Sequence, residues 1–347
     1  MATTKIMNSD SILSAMTDEL YRSPKIYHPS NFWRALDKIH LQQVTQNGLK
    51  NFKRTVNTSY FSWGILGLLR HQLSPLVYVV RRKDVSPFLK SQFDNYTSNV
   101  GTTRNFNSLS AFLYRSHIAS FSDLIRKTDS LDLLNKLEEP NIGNPFVVTY
   151  KNRRLTQDLC NSIHEFYSII NNIHLPRNSE IAELGAGYGR LAVVFVKSIP
   201  SCKYTIIDIP PALFVSQIYL SQVFHGAKIF RYQHFKTFNE IKSKFESSRL
   251  RFLLPPQLEK FPPNYLDLII NISSLHEMSR PQIKNYFNLI YRLGARYFYT
   301  KQWRRSRTKD NNFISEYEYP IPRSWKVIYH RTHQIQRMFF EALYKLR

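Results

Sequence analysis

The spacing of hydrophobic positions changes at about residue 145. After that point, short apolar runs alternate with segments of helical period, which predicts a parallel sheet with helical crossovers. The predicted strands are Ile181–Leu184, Tyr204–Ile207, Leu250–Leu254, Leu266–Ile272 and Arg296–Thr300. The predicted helices between them are Arg190–Lys197, Pro211–Phe224 and Pro281–Leu293. We also expect Trp325–Tyr329 and Phe339–Tyr344 to form a terminal antiparallel pair, after a charged loop from Lys301 to Asn312.

The pattern before residue 145 is mostly helical. Apolar residues recur at helical spacing from Asn31 to about Leu137, and Tyr60–Leu69 and Leu109–Phe121 are further helix candidates. Pro140 and the segment Gly143–Pro145 then break the pattern, before a helix from Thr156 to Asn172. We therefore predict a helical region over residues 1–145 and an α/β domain over residues 146–347. The helical region would cap a site, select a substrate or form a homodimer.

A glycine-rich turn follows the first predicted strand. The chain reads I-A-E-L-G-A-G-Y-G-R, with Glu183 ahead of Gly185, Gly187 and Gly189. Glycine permits left-handed dihedrals and the close approach of another molecule. The next strand ends at Asp208, 23 residues after Gly185. A carboxylate at that distance is typical of the ribose site of a nucleoside cofactor, although the glycines alone also fit a tight turn.

The glycine spacing distinguishes two cofactor classes. The dinucleotide pattern G-x-G-x-x-G would need a third glycine where Arg190 stands. The pattern E-x-G-x-G-x-G instead resembles motif I of the class I methyltransferases that use S-adenosylmethionine (SAM). The resemblance implies that Asp208 binds the ribose hydroxyls and that Glu183 orients the loop and the methionine end of SAM. Ala186 and Ile209, beside these residues, are further candidate SAM contacts, and Asn271, Ser273 and Gln257 are candidates at the ends of later strands.

A second cluster of polar residues follows the strand L-D-L-I-I-N-I. Ligands of open α/β sheets bind at the carboxyl ends of the strands, where Ser274, His276 and Glu277 are expected here. A hydroxyl acceptor is weakly acidic, so methyl transfer to it needs a base. His276 has an ordinary pKa close to working pH, and Glu277 is the rival base or an orienting group. His276 could equally be a hydrogen-bonded turn residue, and Ser274 is a candidate substrate contact.

A third candidate patch is Y-F-Y-T-K-Q-W-R-R, at the end of the fifth predicted strand. Lys301 could hold a phosphate or an acidic sugar, while Gln302 and Trp303 could hydrogen-bond to and stack on a sugar. A solvated basic loop explains the same residues equally well. We see no clustered carboxylates in the sequence and predict no metal site.

Composition adds a strong positive charge to this picture. The 347 residues carry 48 basic and 25 acidic side chains, a net charge of +23, and residues 151–347 contribute +16 of it (30 − 14). Nucleic acid, an anionic membrane face or a phosphorylated substrate would each suit this charge, as would a generally basic composition without a specific partner. Two cysteines and no long apolar run lead us to expect a cytoplasmic protein, and the positive charge would let it touch the inner membrane face peripherally.

Segments outside the glycine turn carry a further resemblance. They are H-P-S-N-F-W (His28–Trp33), the stretch Gly48–Trp63, I-D-I-P (Ile207–Pro210), F-L-L-P-P-Q-L (Phe252–Leu258), N-I-S-S-L-H-E-M and K-Q-W. Together with the glycine turn, they resemble a bacterial family of sugar O-methyltransferases associated with surface-polysaccharide synthesis. The resemblance implies a Rossmann-like sheet of seven strands, SAM as cofactor and a sugar or glycan acceptor. The resemblance also implies that Phe252–Gln257 approaches the adenine edge. The common superfamily pattern has an acid after the third strand that this chain lacks, and Gln257 is our candidate in its place.

Two other functions remain open from the sequence. A nucleic-acid methyltransferase would suit the charge, but this chain has N-I-S-S where base-methylating enzymes carry N/D-P-P-Y/F, so only ribose methylation stays open. A non-catalytic SAM-fold scaffold in glycan assembly is the other alternative. We expect nucleic acid to be the less favoured partner.

Overall fold

The computed structural model describes residues 9–53, 108–307 and 313–347. The helices, numbered in chain order, are Ser9–Arg22 (α1), Asn31–Asn47 (α2), Ser108–Arg126 (α3), Leu133–Lys136 (α4), Gln157–Ile170 (α5), Arg190–Ser198 (α6), Ala212–Val223 (α7), Phe238–Ser247 (α8) and Arg280–Leu293 (α9). Short 3-10 helices span Lys25–Tyr27, Pro255–Lys260 and Leu275–Glu277. The predicted helix Tyr60–Leu69 lies outside the described residues. Within the described ranges, no helix has the length and apolar character needed to span a membrane.

The strands form one large sheet and two small hairpins. They are Val148–Tyr150 (β1), Arg153–Leu155 (β2), Glu180–Leu184 (β3), Lys203–Ile207 (β4), Ile229–Phe230 (β5), Leu250–Leu253 (β6), Leu268–Ile272 (β7), Tyr297–Trp303 (β8), Arg305–Arg307 (β9), Phe313–Ser315 (β10), Lys326–Thr332 (β11) and Phe339–Lys345 (β12). The large sheet has the order β11-β12-β8-β7-β3-β4-β6-β5.

The strand order confirms the predicted Rossmann-like α/β fold. Strands β3 to β8 pair in parallel, and β12 pairs antiparallel with both β8 and β11. Apart from β5, the large sheet consists of seven strands. The two-residue β5 is an eighth strand at the sheet edge, which the prediction of seven strands did not include.

Burial explains why the central strands read as apolar runs. All five residues of β7 are buried, as are the last four of β3 and of β4, because helices cover both faces of a parallel sheet. The helix after β7 starts at a capping box formed by Ser279 and Gln282 and ends at Gly294, whose φ is 56°. These boundary signals agree with the predicted helix from Pro281 to Leu293.

The predicted charged loop after the fifth main strand was wrong in detail. Strand β8 continues through Trp303, and residues 305–307 pair with residues 313–315 as an antiparallel hairpin. Lys301 and Gln302 are therefore interior strand residues that pair with β12. The terminal antiparallel pair is confirmed, with β12 lying between β8 and β11.

The N-terminal segment packs against the carboxyl edge of the sheet. Ser30 Oγ donates a hydrogen bond to the Glu277 carbonyl oxygen at 2.9 Å, and Gln282 Nε2 donates to the carbonyl oxygens of Ile26 and His28. Tyr27 OH donates to the Glu259 carboxylate at 2.5 Å. Buried apolar residues of α1, α3 and the sheet belong to one continuous core. This packing brings α2 to the edge where ligands of such sheets bind.

Candidate functional site

A pocket opens at the carboxyl ends of β3, β4 and β7. The glycine turn and Asp208 form one side of it, and Ser273 and Ser274 form another. Trp33, from the start of α2, also lines it. The structure therefore brings together residues that the sequence analysis placed after three separate strands.

The backbone of the turn requires glycine. Gly185, Gly187 and Gly189 have φ angles of 71°, 60° and 85°. A Cβ on Gly185 would lie 2.3 Å from Ser274 Oγ, and one on Gly189 would lie 2.7 Å from Leu220 Cδ1. At Gly185 and Gly189 the turn is thus a closely packed cradle that leaves no room for a side chain.

Asp208 lies at the end of β4 and lines the pocket. Its Oδ2 accepts a hydrogen bond from the Gly187 amide and its Oδ1 from the Ile209 amide, both at 2.8 Å. Burial raises the pKa of Asp208 to about 7, against the lowering effect of these two hydrogen bonds. Each carboxylate oxygen keeps further acceptor capacity, so Asp208 can receive hydrogen bonds from a vicinal diol.

Glu183 also lines the pocket, one strand away from Asp208. Its carboxylate accepts a hydrogen bond from Tyr204 OH at 2.7 Å. Burial raises the pKa of Glu183 to about 8, partly offset by the Tyr204 hydrogen bond and the Arg190 charge. The side chain can therefore change protonation near neutral pH and respond to a bound cation.

Arg190, whose side chain is 20% exposed and lines the pocket, forms an ion-pair network with the buried Glu165. The two guanidinium nitrogens of Arg190 lie 2.5 and 3.0 Å from the Glu165 carboxylate oxygens. Lys301 Nζ donates to the same carboxylate at 2.9 Å and to Gln336 Oε1 at 2.6 Å. Although burial alone would raise the pKa of Glu165, the charges of Arg190 and Lys301 lower it to about 2. Lys301 is 2% exposed and supports the turn from inside, so its predicted contact with substrate is not made in this arrangement.

Asn271 joins the ends of two central strands without lining the pocket. Its Nδ2 donates to the Leu184 carbonyl oxygen at 2.8 Å and to Ser274 Oγ at 2.7 Å. Ser273, whose φ is 55°, and Ser274 do line the pocket. Asn271 therefore shapes the site by fixing Ser274 against the glycine turn.

Gln302, predicted to contact substrate, instead contacts His276 inside the protein. Its Oε1 lies 2.9 Å from His276 Nδ1, and its Nε2 lies 3.2 Å from the Asn271 carbonyl oxygen. The Trp303 ring stacks on the imidazole of His276, with centroids 5.0 Å apart and planes inclined by 21°. Gln302 is fully buried, and neither it nor Trp303 lines the pocket, so the sugar contacts predicted for both are not made in this arrangement.

Glu277 connects His276 to the pocket wall. Glu277 Oε1 lies 3.6 Å from His276 Nε2, and the Glu277 carboxylate is hydrogen-bonded by Trp33, which lines the pocket. Burial raises the pKa of Glu277 well above its usual range. Burial lowers the pKa of His276 to about 4. Neither side chain is among those that line the pocket, although the Glu277 side chain keeps 15% exposure.

Gln257 is not at the pocket. It is fully buried. Its Oε1 accepts a hydrogen bond from the Leu254 amide, and its Nε2 donates to the Glu19 carboxylate and to the Gln233 carbonyl oxygen. The pocket wall contains Pro255 from the same segment instead. Gln257 thus joins α1 to the sheet edge, and the adenine contact predicted for it is not made in this arrangement.

Several pocket residues were missed by sequence reasoning. They are Trp33, Asp158, Tyr188, Arg190, Met278 and Tyr286. Tyr188 and Arg190 stand inside or next to the glycine motif, so their position in the sequence could have indicated them. Trp33 carries no such signal, because it reaches the pocket from a segment far away along the chain.

Within residues 9–53, 108–307 and 313–347, no three His, Cys, Asp or Glu side chains come together as a metal site would require. Cys160 and Cys202 are both buried free thiols.

Comparison with known proteins gives only remote similarities. No protein-family model and no curated protein matches the chain. A 1,6-didemethyltoxoflavin-N1-methyltransferase from Burkholderia thailandensis, solved with S-adenosylhomocysteine, is 12% identical, with 71% of this chain and 93% of that chain covered and a TM-score of 0.38. A SAM-dependent methyltransferase from Aquifex aeolicus is 14% identical, with coverage of 65% and 98% and a TM-score of 0.34.

A third solved structure covers a shorter part of both chains. It is described as a sarcosine dimethylglycine methyltransferase from Galdieria sulphuraria and is 16% identical, with 42% of this chain covered and a TM-score of 0.31. This chain spans about half (47%) of the length of that protein. Since all three TM-scores lie below 0.5, the fold assignment rests on the strand order of the protein itself.

Proposed function

We propose that this protein is a SAM-dependent O-methyltransferase that acts on a sugar hydroxyl, in a nucleotide-sugar or a surface glycan. The observation that carries the cofactor assignment is Asp208 facing the pocket beside the glycine turn. The cradle at Gly185 accepts no side chain, which fits a turn that contacts a ligand through its backbone. Bound SAM would supply an electrophilic methyl group.

The residues present fit each part of that cofactor. Asp208 has acceptor capacity for both ribose hydroxyls, and Glu183 offers a carboxylate toward the cationic methionine end. Ile209 and Pro255 provide an apolar wall that suits a flat adenine ring. The turn lacks the glycine spacing that cradles a pyrophosphate, which favours SAM over a dinucleotide.

The acceptor side of the pocket supports a sugar. Trp33, Met278 and Tyr286 line it with aromatic and apolar surface, while Ser273 and Ser274 offer hydroxyl groups. Sugars combine apolar C–H faces with hydroxyl groups, and pockets of this mixed character bind such ligands by stacking and hydrogen bonding. Because Trp33 belongs to the N-terminal helical region, we propose that this region, residues 1–145, selects the acceptor for the domain of residues 146–347.

One observation favours a second acceptor, the ribose of a nucleic acid. The net charge of +23 would attract any polyanion. The labelling test below separates a ribose hydroxyl from a glycan hydroxyl.

The test uses SAM that carries a labelled methyl group. The purified protein is incubated separately with nucleotide-sugars, lipid-linked glycans and total RNA, and label transferred to each fraction is counted. Label in a carbohydrate fraction is the expected result. Label in RNA alone would show that the acceptor is a ribose hydroxyl of RNA rather than a glycan hydroxyl. SAM binding without label in any fraction would favour a non-catalytic scaffold.

A further inference from the structure

A chain of amide hydrogen bonds fixes the orientation of Gln302. Asn271 Nδ2 donates to the Leu184 carbonyl oxygen at 2.8 Å, which turns Asn271 Oδ1 toward Gln302. Gln302 Nε2 lies 2.5 Å from that Oδ1 and 3.2 Å from the Asn271 carbonyl oxygen. A carbonyl oxygen can only accept, so the nitrogen of Gln302 must face Asn271 and its oxygen must face His276.

This orientation determines which nitrogen of His276 carries the proton. Gln302 Oε1 is an acceptor, so His276 Nδ1, at 2.9 Å, must be the donor. In a neutral ring, Nε2 then presents a lone pair. Nε2 is buried and makes no hydrogen bond to any residue that the structure describes, and Glu277 Oε1 lies 3.6 Å from it. Glu277 Oε2 is likewise buried without a hydrogen bond within the described ranges.

The residues around His276 favour the neutral form of its imidazole ring. Trp303 and Phe339 pack around the imidazole of His276. Burial lowers the pKa of His276 to about 4. The titratable groups that act on Glu277 are His276, Asp208 and Tyr319, and burial raises the pKa of Glu277 well above its usual range. When the deprotonated pair takes up one proton, that proton therefore goes to the Glu277 carboxylate rather than to His276.

We propose that Gln302 is a positioning residue, which holds His276 with its Nε2 lone pair available to Glu277 so that the two side chains together take up the acceptor's proton. The proposal rests on the proposed O-methyl transfer. As the acceptor O–H bond breaks, its proton passes to the deprotonated pair of Glu277 and His276. The acceptor oxygen forms its bond to the methyl carbon, the sulfur–methyl bond breaks, and its electron pair stays on sulfur. The pair then returns its proton to water.

The first test needs neither SAM nor an acceptor. The protein is prepared with ¹³C,¹⁵N-labelled histidine, the His276 signals are assigned by their loss in His276→Asn, and the ring nitrogens are observed by NMR at pH 7.5. A proton on Nδ1 with an unprotonated Nε2 is expected. A proton on Nε2, or a doubly protonated ring, would overturn the proposal regardless of which substrate the protein methylates.

The second test separates positioning from simple support of the fold. Gln302→Leu removes the acceptor from Nδ1, and Gln302→Glu replaces it with a carboxylate that favours a charged ring. We expect Gln302→Leu to lose the pure Nδ1–H form and Gln302→Glu to raise the pKa of His276 by at least about 1 unit. Gln217→Leu is the matched control, because Gln217 is a buried glutamine whose Oε1 accepts from the Tyr232 amide, away from His276. The His276 tautomer should stay unchanged in the control.

The kinetic readout uses the acceptor found by the labelling test. With Gln302→Glu, the acid limb of the kcat profile should move to higher pH while the KM for SAM stays within about twofold, since the change affects proton transfer rather than cofactor binding. A changed tautomer with an unmoved pH profile would show that Gln302 orders the ring without a role in proton transfer, and would refute the proposal.

Discussion

At the scale of single residues, Gly185 gives the sharpest test of the cradle. Gly185→Ala would combine a φ of 71° with a Cβ 2.3 Å from Ser274 Oγ. We expect it to reduce SAM affinity at least about tenfold, equal to about 1.4 kcal/mol, because Ser274 or the turn must move. Calorimetric titration of SAM measures the effect. The control is Gly226→Ala, whose Cβ would meet nothing within 4 Å and whose affinity should match the unaltered protein. Equal affinity in both variants would contradict a closely packed turn.

A second prediction at this scale concerns pH. Burial raises the pKa of Asp208 to about 7, so the ionised form that best accepts ribose hydrogen bonds is lost as pH falls through 7. We expect SAM affinity to drop about tenfold from pH 8 to pH 6, since binding at the lower pH must release a proton. Affinity measured at several pH values, in the unaltered protein and in Asp208→Asn, isolates this contribution. An identical pH dependence in both proteins would refute it.

The residues that sequence reasoning placed correctly share a simple local signal. Glu183, Gly185 and Asp208 stand next to the ends of predicted strands, and parallel strands bring such ends to one edge. Lys301 and Gln302 follow a strand in the same way but lie inside it, because β8 continues to Trp303 and Lys301 finds Glu165 as a buried partner. That partner lies more than 130 residues away along the chain, where no local pattern could indicate it.

At the scale of elements, the N-terminal segment is anchored by a buried ion pair. Lys53 Nζ lies 2.5 Å from Glu139 Oε1, and the two side chains are 3% and 5% exposed. Lys53 also donates to Tyr219 OH at 3.0 Å and lies 5.0 Å from the ring centroid of Tyr188, which belongs to the glycine turn. This contact ties the segment to the wall of the pocket.

Removing one partner of the Lys53–Glu139 pair should lower the free energy of unfolding strongly. Lys53→Met leaves the Glu139 carboxylate buried, with Thr156 Oγ1 among its hydrogen-bond donors, and we expect a loss of about 3–5 kcal/mol of unfolding free energy. Urea denaturation followed by circular dichroism measures it. Lys151→Met is the control, since the Lys151–Asp123 pair is 51% and 44% exposed and should contribute at most about 1 kcal/mol. Similar losses in the two variants would contradict a burial effect.

Strands and helices were predicted best where the apolar run was long and its ends carried clear boundary residues. The central strands and α9 were found because burial on both faces and a capping box leave clear signals. The hairpin of β9 and β10 was missed because Arg305 and Arg307 read as solvated loop residues, although edge hairpins tolerate exposed charges. The docking of α1 and α2 on the sheet edge has no local signal at all.

At the scale of the whole molecule, the net charge of +23 predicts a salt-dependent attraction to anionic membranes. We expect binding to vesicles that contain anionic lipid at low salt, lost by about 0.5 M NaCl as screening shortens the range of the charges. Co-sedimentation measures it, with vesicles of neutral lipid as the control. Equal binding to neutral vesicles would contradict an electrostatic attraction, and displacement by RNA at equal phosphate would indicate a general affinity for polyanions.

The position of Trp33 has a consequence for the order of events during folding. This pocket residue precedes Glu183 by 150 positions in the sequence, so their encounter requires the closure of a long loop of chain. Helices and neighbouring strands form from nearer contacts and need not wait for it. During refolding from denaturant, secondary structure should therefore return before the ability to hold a ligand, and the segment of chain that reaches the pocket from farthest away would set the moment at which the protein becomes functional.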